Sequence, residues 1–590
     1  GEIALSVLST TVTNLAVFVP VAFMGGIVGQ FFSDFAITVV FATLFSLWVA
    51  MTFTPMVAAR ITYDEPSRLS RFLTGWFQWL YSCFDRLHHK LVRKALDHPW
   101  RTLLLFMVLF VGSIMLTRQI GVEFLPRADE GVVTVEVELP SAVSLEYTER
   151  VTGKIEAFAE DLPDVEAVEV LAGGTGSEQG VNQARIRLLM NDRKGRSSTF
   201  EIADQLRPFI ASIPDVTPII SAFTSGGPPG RALQIGVIGN EIEELDRISR
   251  KILRIMRETP GIVEADVNWE LGRPEIELAA NRWRMAQLEL DVSQLADTSR
   301  AYVTGKEAGV FRSEGKEYDI LVKLEPEKVG NIFELPGLPI PTRSGFVPLA
   351  IVADVKYGLG PTTILRKDRN RYMAVEADVS GITVGEAFNQ ILPKIQAIEL
   401  PPGYRLDFAG EVESIQENFR FMILAFGMAV VLTFMVIAAI LESYLFAFII
   451  MLTIPLSAIG VVPLLLLTDV AISVYGLLGV IMLVGLVVNN AIVILDYAEM
   501  KRKEGLRPYE AIMEACQVRL RPIVMADITS VIAMIPLSLG LGAGGPFRQP
   551  MAIVVIGGLL AGGTLALFAI PPVYERVWAF REWHRKRKEA

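Results

Sequence analysis

The chain has 590 residues, of which 51% are hydrophobic and 20% charged, with a formal net charge of −10. So apolar a composition excludes an ordinary soluble protein and requires the charge to be segregated along the chain. The acidic balance belongs mainly to one hydrophilic stretch and gives no reason to expect nucleic acid as a partner.

In chain order, apolar runs fall at 3–28, 35–59, 102–117, 421–441, 445–468, 472–495, 522–541 and 551–574. Each approaches the ~20 apolar residues needed to cross the ~30 Å of bilayer hydrocarbon, which predicts eight membrane helices. Lys and Arg set the orientation. Arg60, Arg68, Arg71, Arg86, Lys90, Arg93, Lys94 and Arg101 lie between the second and third runs, Lys501 to Arg521 precede the seventh, and Arg585 to Lys588 close the chain. The opposite loops carry almost no basic residue, so the positive-inside rule places both ends of this chain in the cytoplasm and the long stretch between runs three and four outside. Cys83 and Cys516 then lie on the reducing side, and the outer domain has no cysteine.

The first two runs match the last two without a gap. Pro20 and Pro55 correspond to Pro536 and Pro571, Ala36 to Ala552 and Arg60 to Arg576, all offset by 516 residues. Internal repeats of this kind are common in transporters. One copy is whole and the other is represented only by its last two helices, so we expect roughly 400 further residues ahead of Gly1 in the complete protein. After the second run, residues 73–96 mix Trp76, Phe77, Trp79, Leu80, Phe84, Leu87 and Leu91 with basic residues, as an amphipathic helix on the cytoplasmic membrane surface does. His88 and His89 are adjacent and cannot share a helix face, so a solvated interfacial helix is expected there, not a metal or pH site.

The outer stretch repeats one grammar. Strand alternation at Gly131–Leu139, a helix at Leu145–Glu160 and strands at Val165–Leu171 and Ala184–Met190 are followed by a strand, helix and strand over 233–268 and again over 372–408. Repeated βαβ units with short links predict split βαβ, ferredoxin-like subdomains. Residues 273–365 break the pattern and are assigned a separate job, contact with a partner. The glycine-rich loop LAGGTGSEQGVNQ runs into a strand and so is not a phosphate loop. It is either a plain hairpin loop or one gating a substrate path through Gly173, Gly174, Gln179 and Gln183. SGGPPGR at 225–231 reads as a linker.

The chemistry concentrates in two late runs. Asn489 and Asn490 stand inside IMLVGLVVNNAIVILD, and amides in lipid must hydrogen-bond to another helix. Asp527 lies inside the next run, downstream of Arg519 and Arg521. An acid there costs about 2.5–3.5 kcal/mol on insertion scales, and so marks an ion or proton path by default. The alternative is an acid paired with Arg519 or Arg521, or facing a water-filled crevice, in a structural role.

These residues carry a family resemblance. FLPRADEG after the third run, LESYLFAFIIMLTIPLSAIGV, GLVVNNAIVILDYA and RLRPIVMADITSVIAMIPL resemble the resistance-nodulation-division (RND) efflux permeases over the whole chain, in the hydrophobe/amphiphile (multidrug) branch. The resemblance implies a fold of twelve membrane helices, eight of them here, with a large α+β extracytoplasmic domain of porter subdomains and a docking subdomain. The implied boundaries are 1–62 for helices five and six, 63–100 for the interfacial helix, 101–118 for helix seven and 119–225 for one porter subdomain. A second porter subdomain takes 226–272 and 366–416 around a docking piece at 273–365, followed by helices eight to twelve at 417–580 and a basic tail at 581–590.

The resemblance also implies a secondary transporter rather than an enzyme. It would be a homotrimer in the bacterial inner membrane, driven by proton antiport with no cofactor beyond the proton-motive force. It would export small amphiphilic compounds through a tripartite pump, with a periplasmic adaptor (membrane fusion protein) and an outer-membrane channel. In that family the coupling lysine of the tenth helix falls at Asn489, followed by Asn490; the arginine of the eleventh falls at Arg519, and the relay threonine at Ala526 beside Asp527. Proton coupling is therefore carried to Asn489, Asn490, Arg519 and Asp527. The alternatives are a metal-cation exporter and a non-transporting receptor or scaffold of the same build. The outer stretch argues against soft-metal export, since it has no Cys or His and only Met190, Met256, Met285 and Met373.

Overall fold

The computed structural model describes residues 4–60, 68–140, 143–173, 180–192, 195–222, 231–269, 271–325, 334–343, 345–361, 364–541 and 544–589. It opens on a helical hairpin, α1 (Ala4–Ala22) and α2 (Gly26–Met51), with α3 (Phe53–Ala58) continuing the second arm. The predicted first run of 3–28 therefore stops at Ala22, and the second helix starts at Gly26 rather than at 35. Gly26 turns the chain at φ 79°, a conformation that glycine adopts without strain. α4 (Arg68–Asp97) is the expected amphipathic helix, and α5 (Pro99–Leu116) opens on a proline, whose missing N–H costs nothing in the first turn.

On α4, Trp79, Leu87 and Leu91 are exposed while Val92, Ala95 and Leu96 are buried. His89 is exposed, as a solvated helix predicts, but His88 is not. Its ring lies 6.3 Å from that of Phe84 and 5.2 Å from that of Phe568. Burial there pushes the imidazole down to about 4, so it is neutral at neutral pH.

The outer domain contains two sheets of the same topology. β1 (Val132–Glu138), α6 (Leu145–Glu160), β2 (Val165–Ala172), β3 (Gln183–Met190), α7 (Thr199–Ala211) and β4 (Thr217–Ser221) form an antiparallel sheet of order β2-β3-β1-β4. This is the split βαβ arrangement. Val133, Val135 and Val137 of β1 point to a core shared with Ile155, Ile202, Leu206 and Ile210 of the helices. A capping box starts α7, where Ser198 Oγ accepts the Glu201 N–H and the Glu201 carboxylate accepts the Ser198 N–H.

β5 (Leu233–Gly239), α8 (Ile242–Arg257) and β6 (Ile262–Val267) start the second unit. The intervening piece holds β7 (Leu271–Ala280), α9 (Arg282–Gln287), α10 (Val292–Val303), the hairpin β8 (Lys306–Ser313) and β9 (Lys316–Val322), β10 (Pro339–Thr342), β11 (Gly345–Pro348), α11 (Leu349–Val352) and β12 (Ala353–Pro361), which pairs with β7. The chain then returns through β13 (Arg366–Lys367), β14 (Asn370–Val379), α12 (Val384–Gln396) and β15 (Arg405–Gly410). β14 pairs with both β5 and β6, and β15 pairs with β5. Strands from either side of the insertion thus make one sheet, sealed by Leu245, Ile248 and Ile252 of α8 and Ile391 and Ile395 of α12.

The membrane half resumes with α13 (Glu411–Ile440), α14 (Tyr444–Met451), α15 (Thr453–Thr468), α16 (Val474–Lys503), α17 (Pro508–Ser538), α18 (Gly545–Gly558) and α19 (Thr564–Glu589). Among the described residues, seven helical stretches are long and apolar enough to cross a membrane: Gly26–Ala58, Pro99–Gln119, Glu411–Ile440, Tyr444–Thr468, Val474–Lys503, Pro508–Ser538 and Gly545–Arg581. The eighth predicted position is filled by α1, whose apolar stretch Val7–Ala22 is shorter. α16 is central. Its apolar side chains, from Val474 and Leu478 to Leu495 and Ala498, are buried among neighbouring helices, whereas Leu104, Leu105, Met107 and Val108 of α5 are exposed. α1 and α17 end at Ala22 and Ser538, 516 residues apart, so the matched hairpins turn at matched positions.

Candidate functional site

Asn490 is buried on α16, on the side that meets α17. Its Nδ2 donates to both carboxylate oxygens of Asp527, at 2.9 Å and 3.0 Å. Behind the pair, the last predicted run is not a regular helix, since Leu559–Gly563 forms a π-turn between α18 and α19. Such turns shift the backbone by a residue and often mark functional positions. Here the turn brings Gly563 against the pair, where a Cβ would lie 2.3 Å from Asp527 Oδ2 and 3.0 Å from Asn490 Nδ2. Only glycine lets that backbone come so close.

The chemistry of the pair follows from its members. A hydrogen bond to a charged group is worth about 1.5–3 kcal/mol, while an unpaired carboxylate away from water costs several. Asn490 is neutral, so it satisfies the acid without cancelling its charge. It can also serve the protonated acid, because an amide offers an acceptor as well as donors. The arrangement can therefore hold one proton or none without losing its hydrogen bonds.

The other expected residues are placed differently. Asn489 is one position, and so about 100°, further round the helix, and its buried Oδ1 has no hydrogen-bond partner among the described residues. Arg519 precedes Asp527 by eight positions on α17, about 12 Å along the axis. Its guanidinium lies 4.8 Å from the centre of the Tyr497 ring, and that of Arg521 lies 5.9 Å from Tyr81. Neither arginine neutralises Asp527, so the alternative of an Asp527–arginine ion pair does not describe this structure. The amide is the described partner.

Gly173 and Gln183 lie in the outer domain, at the β2–β3 connection. The Gly173 N–H donates to the Gln183 carbonyl at 2.9 Å, and Gln183 Nε2 to Glu138 Oε1 at 3.3 Å. Gly174 and Gln179 lie outside the described residues, as does most of the 225–231 linker.

Among the described residues no group of three or more His, Cys, Asp or Glu is arranged to hold a metal. Met190, Met256, Met285 and Met373 are all buried in the cores of the outer subdomains. Sequence reasoning missed Gly563, although GGLLAGG was a visible glycine-rich run in the last span. It also missed Glu123, the acid of VEFLP, which is buried where the third membrane helix meets the outer domain.

Membrane helices that carry an outer domain with two split βαβ sheets make up the RND permease fold. The family model described as AcrB/AcrD/AcrF matches residues 1–577, and the chain belongs to that family. Among solved structures, it is similar to two crystal forms of a heavy metal efflux pump. These have TM-scores of 0.84 and 0.83 at 20% and 21% identity, over 97% of this chain and 57% and 58% of theirs. The chain thus spans under three-fifths of the length of the pumps it matches.

Proposed function

We propose that the complete protein is a proton-driven exporter of hydrophobic and amphiphilic compounds, and that Asp527 with Asn490 is a proton-binding element of this chain. The observation that carries the reading is the hydrogen-bonded amide–acid pair between α16 and α17, packed against a glycine that admits no side chain. Proton uptake by Asp527 changes what the acid donates and accepts. The helices that hold the pair re-settle, and the two βαβ units attached to them open or close their cleft by alternating access. Asn489, on another face of α16, and Arg519, about 12 Å along α17 and over the Tyr497 ring, take no direct part in this step. Family membership supports assembly as a trimer in the inner membrane with a periplasmic adaptor and an outer-membrane channel.

A metal-cation substrate is the second reading, favoured by likeness to structures described as heavy metal efflux pumps. Against it, soft metals need clustered sulfur or imidazole ligands, and the outer methionines are spent as core side chains. Expression of the complete protein in an efflux-deficient bacterial host separates the readings. We expect lower accumulation of lipophilic dyes with unchanged copper and zinc tolerance. Metal tolerance with unchanged dye levels would replace the amphiphile reading, and no change in either would leave a scaffold.

A further inference from the structure

A second buried acid lies away from the helix pair, where the membrane half is stitched to the outer domain. After α5 and a single 3₁₀ turn at Thr117–Gln119, the segment 121–125 is clamped on three sides. Toward α16, Val122 and Ile472 form a parallel bridge. The Glu123 N–H donates to the Ile472 carbonyl at 3.1 Å, the Ile472 N–H to Gly121 at 2.9 Å and the Val474 N–H to Phe124 at 3.2 Å. Toward α13, the Phe124 N–H donates to Glu411 Oε1 at 2.8 Å. Toward α12 of the second βαβ unit, the Gly385 N–H donates to the Val122 carbonyl at 3.0 Å and Arg127 Nη2 to the Ile382 carbonyl at 3.0 Å. The surfaces meet so closely that a Cβ at Gly121 would lie 2.5 Å from Thr383 Cγ2, and one at Gly385 would lie 2.7 Å from the Val122 carbonyl oxygen.

Glu123 is 8% exposed in this clamp and faces a polar cavity of about 340 Å³. Its carboxyl makes no hydrogen bond or ion pair with any described residue. The charged groups around it are accounted for on every side. Arg127, on its own segment, is held by Ile382, and Glu411 opens α13 by accepting Phe124. The Glu386 carboxylate caps α12 by accepting the Thr383 N–H at 3.0 Å, and Asp469, after α15, is exposed. An acid buried this way, with no cation in contact, is retained most cheaply in its neutral form.

We propose that the Glu123 carboxyl is a proton-binding site of the joint between membrane helices and outer domain: protonated when the clamp is shut, ionised when it opens to water. The joint begins at Ser473, which caps the helix carrying Asn490 17 residues further on, about 26 Å along the axis. Opening at Glu123 would therefore free the outer unit from that helix. The site is separate from Asp527, and its test does not depend on transport.

Burial supports the assignment by pushing the Glu123 carboxyl up to about 8, against the pull of Arg127 and with the Glu411 carboxylate adding to the rise. The sign follows from linkage. Below the ordinary glutamate value both shut and open forms carry the proton, and the clamp is firmest. As pH climbs from there toward 8, the open form sheds its proton while the shut form keeps it, so the clamp weakens by up to tenfold per pH unit; above 8 it weakens no further.

Amide hydrogen exchange in the complete protein in detergent micelles, corrected for intrinsic rates between pH 5 and 9, tests this at Glu123, Phe124, Ile472 and Val474. The expected result is an opening constant that rises with pH and levels near 8, and a clearly smaller slope in Glu123→Gln, where the Glu411 carboxyl that accepts Phe124 still titrates. The same slope in both proteins, or no slope in the native one, overturns the proposal. If Glu123→Gln fails to fold, Arg127→Gln serves instead. It must move the levelling point to higher pH, and an unmoved point is equally fatal.

Discussion

Around Asp527 three residue choices fit together: an acid, an amide that can donate to or accept from it, and a glycine whose missing side chain leaves room for both. Gly563→Ala should therefore act on the pair more than on the membrane core. Its methyl would enter the space of Oδ2, forcing either the carboxyl from the amide or the π-turn from α17. A loss of about 1–3 kcal/mol is expected if the buried acid is left unpaired. Unfolding in mixed micelles would measure it, and a native-like stability together with a native Asn490–Asp527 contact would show that the turn yields freely. The two amides and the acid were legible because polar groups stand out in an apolar run. Their pairing was not, since which of Asn489 and Asn490 faces α17 depends on helix rotation, a property of the packed bundle. Glu123 was illegible for the opposite reason. A lone acid just past a membrane run reads as solvated, and only the clamp buries it.

Among the elements, Glu264 shows how the two βαβ units are joined. It follows α8 at φ 55° on β6, accepting Arg207 Nε at 2.8 Å and the Ile220 N–H at 2.8 Å, both from the first unit. The side chain of Glu264 is 5% exposed and that of Arg207 20%. Glu264→Ala should cost about 1–3 kcal/mol, because the Ile220 N–H loses its acceptor, whereas Arg207 keeps its ion pair with Asp204. The loss should fall at the seam: exchange protection at the Ile220 amide drops while that of Ile186 in the central ladder is kept. Equal loss at both positions would mean that the first unit itself had been destabilised. Period-two alternation and amphipathic helices made most of these elements readable, and Leu145–Glu160 forms over the predicted residues. α7 and β4 were not predicted although Ser198 and Glu201 form a capping box, since Pro208 reads as a helix breaker although the helix runs through it, and β4 has only five residues. That strands at 233–267 and 370–410 share one sheet is a long-range pairing, which no local pattern states.

For the whole molecule, the repeated hairpin and the segregated charge make the layout readable in the sequence. The paired turns at Ala22 and Ser538 agree with one hairpin used twice. What the layout does is a matter of coupling. On the proposed reading, a group in the membrane must gain and lose a proton as the outer units move, and in this chain Asp527 is our candidate. The most direct test is uphill transport by the complete protein in liposomes under an imposed pH gradient, comparing the native protein with Asp527→Asn. The exchange keeps the shape and leaves a carbonyl for Asn490 to meet, so folding should be unaffected. The account predicts a protein that still binds its lipophilic substrate but no longer accumulates it against a gradient at any pH. Native-rate, pH-driven accumulation by Asp527→Asn would contradict it.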